Sequence, residues 1–258
     1  MVSHEHMHYL KNKKQGKDGF MAVNLDMSKA YDRVEWSFLE AIMEKMGFNC
    51  KWRNWVMECV KSVSYSFNIN GEVKEFVIPK RGIRQGDPLS PYLFLLCSEG
   101  LSNLIRKAAD SKKLAGMKIS RQGPSITHLL FADDSVIFCK ANLDQANELR
   151  RVLKVYGMGS GQEINLEKSS ILFSKNVRLQ LMDEICQTMG NMQRVSQGKY
   201  LGLPMVVSGS KQQLFGFIKT SKHQRMLKRK NRLLSAFGKE TMLKSVALAM
   251  PTYTMSCF

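Results

Sequence analysis

Residues 128–139 read HLLFADDSVIFC, with two acids, Asp133 and Asp134, between two short apolar runs. Leu129, Leu130 and Phe131 precede them; Val136, Ile137 and Phe138 follow. Runs this short, rich in β-branched and aromatic residues, predict two strands buried against a core. One unpaired buried carboxylate is costly, and a second beside it adds like-charge repulsion. Two readings follow: the acids cap a solvated hairpin tip, or a cation compensates them.

Upstream, FMAVNL at residues 20–25 predicts a strand ending at Asp26. Val34, Phe38, Ile42 and Met46 then recur at helical spacing until Gly47 stops the helix, and a second short helix carries Trp52, Val56 and Val60. Tyr65, Phe67 and Ile69 alternate ahead of Asn70-Gly71, which predicts a hairpin. Asp87 followed by Pro88 predicts a helix cap with proline at the first helical position, and an apolar helix running toward Ile105. After the two acids come a polar helix from about Asp144 to Tyr156 and a strand near ILFS. The tail from about Ser208 reads as helical and basic. This order predicts an α+β fold, an antiparallel sheet backed by helices.

The chain of 258 residues carries 39 Lys plus Arg against 22 Asp plus Glu, a net charge of +17. An excess of that size points to a polyanionic partner, nucleic acid first and an anionic membrane surface second. No apolar run approaches the ~20 residues of a membrane span, so no membrane is expected. Cys50, Cys59, Cys97, Cys139, Cys186 and Cys257 form no CxxC pair, which predicts structural thiols in a reducing, intracellular setting. His4, His6 and His8 alternate in HEHMH, as a metal site or as a frayed surface terminus.

Two acid sites thus stand at strand ends, Asp26 and the pair Asp133/Asp134. Divalent cations are the obvious compensation, because Mg²⁺ takes carboxylate and phosphate oxygens. Two ions about 3.5–4 Å apart clamp the attacking and leaving oxygens of a phosphoryl displacement. A basic chain around an acidic centre suits a polymerase or a nuclease.

Five segments then occur in order: VNLDMSKAYDRVEW (23–36), KRGIRQGDPLSPYLF (80–94), LLFADDSVIF (129–138), GQEINLEKSS (161–170) and KYLGLP (199–204). They resemble the palm motifs of reverse transcriptases, most of all those of plant non-LTR (LINE-type) retrotransposons, from about Tyr9 to the end of the chain. The resemblance implies an RNA-directed DNA polymerase with a palm and a thumb-like helical region. The expected division is a fingers remnant at 1–18, a palm at 19–205 and a basic thumb-like region at 206–258.

The resemblance also implies site roles. Asp26, Asp133 and Asp134 match the catalytic metal ligands, with the Met27 carbonyl a further one, for two Mg²⁺ or Mn²⁺ ions. Tyr31 matches the gate under the incoming sugar, or else is a ring packed at a helix start. Arg84, Gln85 and Gly86 match the nucleotide and template pocket, where a glycine permits close backbone approach. Lys168 matches the lysine that assists pyrophosphate departure, or is a surface lysine. Tyr200, Leu201 and Gly202 resemble the primer grip. Lys219, Lys222, Arg225, Lys228, Arg229, Lys230 and Arg232 resemble the thumb's backbone contacts, or form a solvated face. Implied partners are an RNA template, a DNA primer and deoxynucleoside triphosphates, and the implied location is nuclear.

Family members carry fingers segments before the first aspartate, and only about two dozen residues precede Asp26 here, so a truncated element is expected. A catalytically inactive nucleic-acid-binding remnant is the second reading. A metal-dependent nuclease or phosphatase is the third; it explains the acids but not Tyr31 or the Gln85-Gly86 loop.

Overall fold

The computed structural model of the protein describes residues 2–120, 122–132 and 134–196, then 199–200, 203–204, 216, 219–220, 223–224 and 235–247. The chain forms two compact units, Lys13–Ser196 and Met1–Asn12 with Gln197–Phe258.

In the second of these, α1 spans Val2–Asn12. The terminus is therefore helical rather than frayed, and His6 is buried, with its Nδ1 2.9 Å from the Val2 carbonyl oxygen. Residues two apart project to different sides of a helix, so His6 does not share a face with His8.

In the larger unit the chain passes through β1 (Phe20–Leu25), α2 (Trp36–Lys45), α3 (Cys50–Lys61), β2 (Tyr65–Ile69), β3 (Glu72–Val77) and α4 (Ser90–Asp110). It continues through β4 (His128–Phe131), β5 (Asp134–Lys140), α5 (Leu143–Ser160), β6 (Ser170–Phe173), α6 (Leu179–Thr188) and β7 (Gln193–Arg194). The strand order β4-β5-β1-β6-β7 puts β1 at the centre, antiparallel to both neighbours. The expected antiparallel sheet is present, with one addition: β7 runs parallel to β6, because the chain returns through α6 before pairing.

Strand alternation gives the sheet two faces. Met21, Val23 and Leu25 share one face with Ile137, Cys139, Ile171 and Phe173, in a core completed by α2, α4, α5 and α6. The other face carries Ala22, Asn24, Val136, Phe138 and Leu172. Among the helices, Phe38 of α2 fills a slot made by two glycines. A Cβ on Gly100 of α4 would lie 2.9 Å from the Phe38 ring, and one on Gly159 of α5 3.5 Å from it. The ring meets Tyr156 edge-on, with centroids 5.9 Å apart.

One departure from the sequence reading lies beside that slot. Helix α5 continues past Tyr156 through Gly157 and Gly159 to Ser160 and ends at Gly161, which takes a left-handed φ of 76° where a Cβ would not fit against Arg33. Another concerns α4, which starts at Ser90 with Leu89 as its cap residue. Asp87 closes a separate turn just before it: its Oδ1 accepts from the Leu89 N–H at 2.8 Å, and its carbonyl accepts from Ser90. The Asn70-Gly71 hairpin forms as read, with φ of 53° and 90° at the two turn residues. Phe67, Ile69 and Phe76 on its strands are exposed.

Beyond 196, β8 (Lys199–Tyr200) pairs with β9 (Leu203–Pro204), and a short helix α7 covers Ala236–Met242. Among the described residues no helix is long and apolar enough to cross a membrane.

Candidate active site

Asp26 follows the last residue of β1, and its neighbours Leu25 and Met27 both belong to the core beneath the sheet. Its side chain therefore projects from the opposite face. In β5, Ser135 pairs with Leu25, so Asp134 lies one step further along and on the same face as Asp26. The ladder thus brings two acids more than a hundred residues apart in sequence to one end of adjacent central strands. In the β4–β5 hairpin Phe131 pairs with Asp134, and Ala132 adopts a left-handed φ of 51°, a strained conformation for a residue with a Cβ. Asp133 lies outside the described residues. Among those described, no group of three or more His, Cys, Asp and Glu is gathered at metal-binding distance.

The peptide that carries Asp26 is held from one side by the segment after α5. Ser169 Oγ accepts the Asp26 N–H at 3.1 Å, and the Asp26 carbonyl accepts from the Asn165 N–H at 2.8 Å. The Ser28 N–H donates to the Glu163 carbonyl at 2.8 Å, which completes an isolated antiparallel bridge between Met27 and Ile164. That bridge is made by the residues flanking Met27, so the Met27 carbonyl is not used by it. Arg33 and Glu163 pair at 2.7 Å along the same edge. Lys168 is exposed on the turn that follows, its N–H donating to Asn165 Oδ1.

Tyr31 is half-buried, with its ring stacked on Phe94 of α4 at 4.9 Å and 16°. Its carbonyl accepts from the Ile83 N–H at 2.9 Å. Next to that bond the Gly82 N–H donates to the Val34 carbonyl, and Trp36 Nε1 donates to the Gly82 carbonyl, both at 2.7 Å. These bonds fix the start of the loop carrying Arg84, Gln85 and Gly86, all three exposed. Gly86 has φ +90°, and a Cβ there would meet nothing within 4 Å. Asp26, Tyr31 and this loop are thus tied together through one stretch of chain, residues 26–36.

Of the other positions named from sequence, Tyr200 pairs with Leu203, and Lys219 is exposed. Leu201, Gly202, Lys222, Arg225, Lys228, Arg229, Lys230 and Arg232 lie outside the described residues. Ser169 and Gln162 were not among the residues named from sequence. Both are buried polar residues within GQEINLEKSS, and no local pattern in that stretch marks them out.

Comparison with known proteins identifies the fold and the family. The fold resembles telomerase from Candida tropicalis, truncated of its C-terminal domain, with a TM-score of 0.52 at 15% identity over 79% of this chain and 36% of that one. Telomerase from Candida albicans gives 0.51 at 12% identity over 87% and 38%. At such identities the likeness establishes the fold, which is that of a polymerase palm.

Residues 2–205 match the family described as Reverse transcriptase (RNA-dependent DNA polymerase), and the chain belongs to it. Among its relatives is the Pol polyprotein of the type-1 retrotransposable element R2 of Popillia japonica, 26% identical over 66% of this chain and 27% of that protein. The corresponding type-2 R2DM polyprotein of Drosophila melanogaster is 25% identical over 81% of this chain and 19% of its own length. An uncharacterised mitochondrial protein of Arabidopsis thaliana is 56% identical over 69 residues, which is 27% of this chain and 57% of that protein. The chain therefore spans a minor part of the polyproteins it resembles.

Proposed function

We propose that this chain is the catalytic core of an RNA-directed DNA polymerase: it joins a deoxynucleotide to the 3′-hydroxyl of a primer on an RNA template. The observation that carries the reading is the placement of Asp26 and Asp134 on one face and at one end of adjacent central strands. Asp133 adds the third carboxylate by family resemblance. The donors are all hard oxygens, carboxylates with the Met27 carbonyl beside them, and that set suits Mg²⁺ or Mn²⁺ better than a softer metal.

Asp26, Asp133 and Asp134 would hold two such ions, which when bound would supply polarisation of the primer hydroxyl and charge neutralisation at the departing pyrophosphate. Tyr31 places its ring under the incoming sugar, where a 2′-hydroxyl would clash. The Arg84–Gly86 loop offers a cation and an uncrowded backbone to the nucleotide. Lys168 supplies a proton donor for the leaving pyrophosphate. The net charge of +17 supports a nucleic-acid partner bound through its backbone.

The test is primer extension on an RNA template with Mg²⁺ or Mn²⁺, comparing wild type with Asp26→Asn and measuring duplex binding in parallel. Wild type should extend the primer, and the variant should lose extension while keeping salt-dependent binding. A wild-type chain that binds the duplex and extends nothing would replace this reading with that of a noncatalytic binding remnant.

A further inference from the structure

Gln162 is 5% exposed, just past the left-handed Gly161 that ends α5. Its Nε2 donates to the Ala30 carbonyl at 2.7 Å, a contact across 132 residues of sequence. Its Oε1 is buried without a hydrogen-bond partner among the described residues. Burying a primary amide to use half of it is unfavourable in stability alone, since an orphaned buried acceptor carries a desolvation penalty. The group it does hold is the peptide linking Ala30 to Tyr31. At Tyr31 the next peptide is fixed by the Ile83 N–H and the ring by Phe94. Gln162 therefore adds a third point to the clamp on Tyr31, from the segment that follows α5.

We infer that Gln162 is a positioning residue for Tyr31, and through it a determinant of whether the site accepts deoxyribose or ribose. This deepens the polymerase reading and rests on it. A ring that excludes a 2′-hydroxyl works only if it cannot retreat, and a shift of a fraction of an ångström relieves a steric clash. Phe94 limits motion along the stacking direction, and Ile83 holds the C-terminal side of the residue. Without the Gln162 amide, the Ala30–Tyr31 peptide is free to rotate, and the ring tilts with it. The role differs from that of Asp26 and Asp134, whose loss removes chemistry for both sugars alike.

The experiment measures incorporation of deoxynucleotides and ribonucleotides by the full chain in primer extension, with kcat and KM determined separately. Gln162→Met keeps the side-chain volume, deletes the donor and removes the orphaned oxygen. It should keep its melting temperature, retain kcat for deoxynucleotides and lose about tenfold in sugar discrimination, the factor a single net hydrogen bond supports. In a Tyr31→Ala background the same change should add nothing, because no ring remains to position. Gln162→Glu supplies a second variant of the same shape: its carboxylate repels the Ala30 carbonyl and should relax discrimination as well. A wild-type chain that selects deoxynucleotides while both Gln162 variants select them equally well overturns the inference and leaves the polymerase reading intact. Additive losses in the double variant overturn it too, by showing that Gln162 acts elsewhere. A wild-type chain that extends no primer overturns the polymerase reading, and this one with it.

Discussion

Gly82→Ala should cost far more than its exposure suggests, and the protein contains its own control. Gly82 and Gly47 adopt nearly the same left-handed conformation, with φ of +86° and +82°. An alanine at either position carries about 1–2 kcal/mol of left-handed strain, partly offset by about 0.4–1 kcal/mol from a less flexible unfolded chain. The surroundings differ. A Cβ on Gly47 would meet nothing within 4 Å, whereas one on Gly82 would lie 2.7 Å from the Asp32 carbonyl oxygen, 3.0 Å from its carbon and 3.1 Å from its Cα. These are backbone atoms in the segment that carries Tyr31, so no flexible side chain can give way. To reach ordinary contact the loop must withdraw by about 0.7 Å, against hydrogen bonds from Gly82 to Val34 and from Trp36 to Gly82. Overpacking of this kind costs about 1–3 kcal/mol. In a unit of this size each kcal/mol moves the melting temperature by about 2–4 °C. Gly82→Ala should therefore melt several degrees below Gly47→Ala, by calorimetry or circular dichroism, and should also raise KM for nucleotide in primer extension. Equal melting temperatures for the two variants would refute the argument that contact with the Asp32 backbone, rather than the turn conformation, requires glycine at position 82.

Three further outcomes follow from the same structure. Burial pushes the thiols of Cys97 and Cys139 up to about 12, while Cys50 and Cys59 are exposed; a thiol reagent at neutral pH should label the exposed pair at once and the buried pair only on unfolding, as peptide mass mapping would show. Phe38→Ala should destabilise by about 3–5 kcal/mol, because the two glycines facing the ring offer no side chain to refill the slot; chemical denaturation would measure it. The pKa of His128 is held below its ordinary 6.5, first by burial and then by Arg106, with Glu99 opposing. Its ring nitrogens lie 3.0 Å from Ser102 Oγ and 2.8 Å from Thr127 Oγ1. Because the folded state takes up the proton less readily than the unfolded one, the stabilisation is full above pH 6.5 and is lost as pH falls through the lower folded value. Melting temperature should drop on acidification below 6.5, and His128→Gln should flatten that part of the curve.

Local sequence carried the parts of this protein whose cause is local. The apolar runs of FMAVNL and of the residues around the acids, the Asn70-Gly71 turn and the stop at Gly47 each depend on a few neighbouring residues, and each element formed where it was read. Two boundaries did not. Helix α5 runs on through two glycines to Gly161, where a Cβ would not fit against Arg33, more than a hundred residues away. Helix α4 begins late because Asp87 spends its oxygen on the turn just before it. The site divides in the same way. Acids at strand ends are conspicuous in sequence because a carboxylate beside apolar strands demands compensation. The groups that hold the backbone from Asp26 onward are ordinary polar residues whose partners lie far along the chain: Ser169 for the Asp26 peptide and Gln162 for the Ala30 carbonyl. Nothing in the residues around Gln162 distinguishes it from any other buried amide. Only the antiparallel run of 160–165 along 26–35 does so, and that run exists because Gly161 turns the chain out of α5 where no Cβ would fit against Arg33. The candidate acids were therefore legible from chemistry, whereas the polar groups that bond the backbone beside them became visible only once the fold had placed them.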